Sequence, residues 1–68
     1  YMTLLDIMIA AGGLNEFASG NSAKLVRVLN GKQMTYQVRL DDLVRDGDIT
    51  ANVDLLPGDI IIIPEAWF

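Results

Sequence analysis

The sequence contains no cysteine and no histidine. Disulfide staples are therefore excluded, and so are zinc sites built on those residues. The lack of cysteine is compatible with any compartment. Basic residues are few: five Lys/Arg, scattered singly, against nine Asp/Glu, for a net charge of −4. Nucleic acid demands a clustered basic footprint, so no nucleic-acid partner is expected. No apolar run approaches the ~20 residues that a membrane-spanning helix needs. Without His, Cys or a nucleophile–base pair, the chain is not expected to be an enzyme or to carry a cofactor. The carboxylates invite a metal, but Asp42, Asp46, Asp48, Asn52 and Asp54 do not follow the calcium-loop pattern, and no metal site is expected. Gly12-Gly13 ends a helix, whereas phosphate loops start one.

What remains is a short, apolar-rich chain of 68 residues, 51% of them hydrophobic. That length makes one domain, 1–68, whose core alone supplies about 3–5 kcal/mol. With disulfides and zinc excluded, association is the remaining staple. It comes either from the rest of a longer chain or from copies of the same one. Tyr1-Met2 already falls inside a structured pattern, so we read the sequence as a segment of a longer protein.

The stretch Leu55-Leu56-Pro57-Gly58-Asp59-Ile60-Ile61-Ile62-Ile63-Pro64 organises the rest. Pro57 presets the second position of a tight turn, and Gly58 supplies the positive φ of a type II turn. Asp59 is placed to cap that turn through backbone N–H groups. The Ile run that follows predicts a strand buried on both faces at the centre of a sheet. Its gross burial is worth about 6–12 kcal/mol before ordering entropy.

Earlier in the chain, Thr3 and Asp6 make a capping box for a helix over Leu4 to Ala11, closed by Gly12-Gly13. Only Asp6 is polar in it, which predicts burial on more than one side. Leu14 and Phe17 fold back under its end, and Ser19 to Ser22 form a loop. Strands Ala23 to Leu29 and Gln33 to Leu40 meet at Asn30-Gly31, a strong hairpin signal. A two-residue loop would set Arg27 opposite core-facing Met34. A three-residue loop, Asn30 to Lys32, pairs Val28 with Met34 and Val26 with Tyr36, keeps each face consistent, and is the register expected. Asp41 or Asp42 caps a helical turn over Leu43-Val44-Arg45, closed by Gly47. Ile49 to Asp54 is extended or irregular. This order predicts an α+β fold: a β-grasp-like mixed sheet on one main helix.

Thr3-Leu4-Leu5-Asp6, Ala10-Ala11-Gly12-Gly13-Leu14, Ala23 to Arg27 and the segment Asn52 to Pro64 together resemble the soluble-ligand-binding β-grasp (SLBB) domain. The nearest likeness is to the version found in outer-membrane polysaccharide export proteins. The ending Ile63-Pro64-Glu65-Ala66-Trp67-Phe68 resembles exopolysaccharide exporters found with exosortase-type gene sets. The family's first two strands, with their Gly-rich turn, have no counterpart here, which leaves the Ile strand without its parallel neighbour. The resemblance implies a non-enzymatic module on the periplasmic side of the outer membrane. There it packs with copies of itself and with other domains of a parent chain into a ring that conducts polysaccharide. A small soluble-sugar binder is the alternative. Aromatic faces stack on sugars, and Trp67 and Phe68, past the last strand, are the candidate contacts. Tyr36, by its inward alternation, is read as packing.

Overall fold

The computed structural model describes residues 2–65. In chain order these form strand β1 (Met2–Thr3), helix α1 (Leu4–Ala10), a 3-10 turn (Gly20–Ser22), strands β2 (Ala23–Leu29) and β3 (Lys32–Val38), helix α2 (Leu40–Val44), a second 3-10 turn (Ile49–Ala51), and strands β4 (Asp54–Leu55) and β5 (Ile60–Ile62). The fold is α+β. One sheet has the antiparallel order β3-β2-β5, and a smaller one pairs β1 with β4.

The start of α1 is fully clasped. Thr3 Oγ1 accepts from the Asp6 N–H, and Asp6 Oδ2 accepts from the Thr3 N–H at 2.9 Å, which completes the capping box. The next orphan donors are met from across the chain: Leu4 N–H donates to Val53 O at 2.8 Å and Leu5 N–H to Asn52 Oδ1 at 2.9 Å. At the far end, Gly13 N–H reaches Met8 O and Gly12 N–H reaches Ile9 O, the paired bonds of a Schellman closure. Gly12, at φ 84°, supplies the left-handed residue it needs.

The core lies between α1, through Leu4 and Met8, and the inner sheet face, through Ala23, Leu25 and Val38. Leu40 and Leu43 of α2 and Ala51 close it, with Ile61 and Ile63 packed at its margin. Only one stripe of α1 is buried; Ile9 is 69% exposed, contrary to the expectation from its all-apolar sequence. Leu14 packs on the core, while Phe17 is half exposed.

The hairpin turns on two residues, not three. Asn30 (φ 52°) and Gly31 (φ 78°) both take positive φ, the type I′ geometry whose twist matches its strands. The register is Arg27 opposite Met34, Leu25 opposite Tyr36 and Ala23 opposite Val38. The preferred Val28–Met34 pairing is thus overturned. The core stops at the Leu25–Val38 layer, so an Arg one step further along the inner face is not buried in hydrocarbon.

The Ile run is also corrected. Central β2 pairs on both sides; β5 is an outer strand, with Val26 opposite Ile60 and Lys24 opposite Ile62. Only Ile61 and Ile63 face the core, leaving Ile60 58% and Ile62 51% exposed. Burial on both faces requires a covering layer, and none lies over the outer face among the described residues.

Helix α2 begins earlier than expected, at Leu40, with Arg39 at the N-cap position and no side-chain cap of its own. The cap comes instead from Asn21, whose Oδ1 accepts from the Asp42 N–H at 3.3 Å while its Nδ2 donates to Asp42 Oδ1 at 3.1 Å. Asp41 Oδ2 accepts the Asn21 N–H at 3.2 Å. The two aspartates therefore bind the 3-10 turn beside them and do not start the helix. Asp48 caps the second 3-10 turn by accepting from Thr50 N–H. The Asp48 carboxyl is held below its ordinary pKa chiefly by the Thr50 hydroxyl, then by the Thr50 N–H.

Candidate functional site

The Leu56–Asp59 turn is the starting point. Asp59 N–H donates to Leu56 O at 3.1 Å, and Gly58 sits at φ 88°, the geometry of a type II turn. The Asp59 carboxylate folds back over the turn, and its Oδ2 accepts the Leu56 N–H at 2.8 Å. Pro57, Gly58 and Asp59 thus hold a carboxylate in one orientation, beside β2.

Arg27 meets it from the inner face of β2. Its Nε donates to Asp59 Oδ1 at 3.0 Å and its Nη2 to Asp59 Oδ2 at 2.7 Å, a two-pronged ion pair. Nη2 also reaches Asp54 O at 3.3 Å, tying β4 into the same contact. The pair is well covered: the side chains are 18% exposed for Arg27 and 3% for Asp59. Hydrogen bonding from Arg27, then from the Leu56 N–H, holds the Asp59 carboxyl below its usual range, against the opposing effect of desolvation. The same bond raises the Arg27 pKa further above an already high value. One side chain therefore joins the larger sheet, the smaller sheet and the turn.

Beside this clasp the Arg27 guanidinium carbon lies over the Tyr36 ring, 5.7 Å from its centroid. The Tyr36 hydroxyl donates to Met34 Sδ at 3.0 Å. Tyr36 does face inward in the strand alternation, but it lies beyond the core and is 43% exposed, so it is not a packing residue. With Leu25, Val38, Val53 and Asp54 it lines a groove of about 280 Å³. Two further hollows, one by Met2, Ile7 and Leu55 and one by Leu5, Met8 and Ile9, are mainly aliphatic and contain no aromatic ring from the described residues.

Trp67 and Phe68, the candidate sugar contacts from sequence, lie outside the described residues. Arg27 was missed as a site residue. Its signal was present, however: a charge at an inward strand position needs a fixed counter-charge, and Asp59 is oriented by its own turn.

The clasped turn thus lies beside a mixed aromatic and polar groove on an α+β frame of β-grasp type. A family model for the SLBB domain matches residues 1–63. The chain belongs to the SLBB domain family, a family of soluble-ligand-binding modules.

Proposed function

We propose that the chain is a structural and interaction module of a polysaccharide export channel, on the periplasmic side of the outer membrane. Copies pack through the exposed sheet edge and helix, alongside other domains of a parent chain, into a ring that conducts polysaccharide. Family membership carries the reading. The supporting surface is the outer face of the sheet, where Ile60 and Ile62 on edge strand β5 and Val28 on central β2 are all more than half exposed. A further apolar residue, Ile9, stands out on α1. Adjacent exposed aliphatics on a strand edge favour association, because pairing satisfies the open backbone groups while it removes apolar area from water. No helix among the described residues is long and apolar enough to cross a membrane.

Sedimentation across a dilution series tests the reading. The wild-type chain is expected to associate with rising concentration, and Ile60→Lys with Ile62→Lys to remain monomeric with an unchanged far-UV spectrum. A wild-type monomer at high micromolar concentration would refute self-association through this edge.

A further inference from the structure

We propose that the groove beside the Arg27–Asp59 clasp is a subsite for one neutral pyranose unit, with Tyr36 as its stacking platform. Ligand binding by the family is the premise; the groove, its ring and the class of ligand come from the residues themselves.

An exposed tyrosine ordinarily samples several rotamers, but this ring is held at both ends. The Arg27 guanidinium lies over it, and its hydroxyl is tied to Met34 Sδ. A ring already fixed loses little freedom when a ligand settles on it. With the guanidinium over one face, the half-exposed ring offers its other, electron-rich face to the polarised C–H face of a sugar ring. Val53, 37% exposed, adds an apolar wall.

The polar groups complement hydroxyls. Arg27 spends Nε and Nη2 on Asp59 and Asp54 O, and its Nη1 has no acceptor among the described residues. Asp54 gives its backbone oxygen to Arg27, while its carboxylate has no donor among the described residues. One open donor and one open acceptor suit a ligand whose groups both give and take hydrogen bonds.

Charge then chooses among such ligands. Asp59 already balances Arg27, and Asp54 leaves the groove with one surplus negative charge. A uronate or a phosphate would meet repulsion there, whereas a neutral hexose would not. At about 280 Å³ the groove falls just short of the roughly 300–1,000 Å³ of drug-sized pockets, room for a single ring. Because β3 is an outer strand, no further strand among the described residues blocks the linkages to neighbouring sugars.

The test is an amide NMR titration of the chain with a panel of neutral gluco-, manno- and galacto-trisaccharides, set against trigalacturonate. Saturable shifts centred on Tyr36, Val53 and Asp54 are expected with a neutral sugar, at roughly millimolar affinity. Tyr36→Leu, at an exposed position, should weaken that binding at least about tenfold. Asp54→Asn should raise the affinity for trigalacturonate. Shifts centred on either aliphatic hollow would overturn the subsite and leave ligand binding standing. Absence of any saturable shift, in a chain that still assembles, would overturn the subsite and leave the channel reading intact. Tighter wild-type binding of trigalacturonate would overturn the choice of a neutral ligand.

Discussion

Replacing Gly20 with alanine should damage this protein more than so small a change suggests. Gly20 is buried in the 3-10 turn before β2, and its φ is not in the left-handed region, so backbone strain is not the reason. The reason is space. An added Cβ would lie 2.6 Å from Asp41 Oδ1, 2.7 Å from Asp41 N and 2.8 Å from Leu14 Cδ1. The Asp41 nitrogen belongs to the first turn of α2 and cannot swing aside as a side chain would. Turn and helix must separate, and overpacking of this kind costs about 1–3 kcal/mol. Separation also strains the bonds between Asn21 and Asp41 and Asp42, each worth about 0.5–1.5 kcal/mol net. A total of about 2–4 kcal/mol follows if one or two of these are lost. For a domain of this size that lowers Tm by roughly 10–25 °C. Paired urea and thermal melts of wild type and Gly20→Ala provide the measurement. A loss below about 0.5 kcal/mol, the range of ordinary surface substitutions, would show that the turn does not sit on α2 as described.

Gly58→Val should cost more stability than Asp54→Ala, since it forces a β-branched residue to φ 88° while Asp54 lends the fold only its backbone oxygen and strand pairing; equal losses in urea midpoint would refute the type II turn. Acid should weaken the clasp in a defined direction. The folded Asp59 carboxyl lies below its ordinary value, so its contribution is fully present above about pH 4–5 and is lost as pH falls through the folded pKa. The stability gap between wild type and Asp59→Asn should therefore be widest near neutrality and narrow below about pH 4. A gap constant down to pH 2 would show that the pair does not stabilise the folded state.

Local signals in the sequence were the readable ones. Thr3 and Asp6, Gly12-Gly13 and Pro57-Gly58 each dictate geometry over a few residues, and α1 and the Pro57-Gly58 turn stand where those residues put them; Asn30-Gly31 places the hairpin turn but not the expected three-residue loop. Errors arose where a distant partner decides. Sequence alone disfavours the observed hairpin register because Arg27 is unfit for an inward position until Asp59, far along the chain, stands beside it. The Ile run was read as central because β-branched residues mark a strand but not what covers it. The start of α2 is not legible locally because its cap, Asn21, lies before the hairpin. The groove was invisible for the same reason: it joins Tyr36 to Val53 and Asp54, which only the folded chain brings together. Trp67 and Phe68 stand out in the sequence by residue type and by their place past the last strand, and both lie outside the described residues.

The Asn21 cap ties the entry of the hairpin to its exit. Asn21 precedes β2 and α2 follows β3, so their shared bonds close a covalent stretch of chain into a buckle around both strands. Gln37, on β3, adds a bond from its Nε2 to Asn21 O at 2.9 Å. The hairpin therefore cannot peel away from the body without uncapping α2, and α2 cannot fray at its start without loosening the hairpin. In hydrogen exchange the two are expected to open as a single unit, with amides of similar protection despite lying in different kinds of secondary structure; separate protection levels for β3 and α2 would refute the link. The tip at Asn30-Gly31, far from the buckle, is the part left free to open by itself.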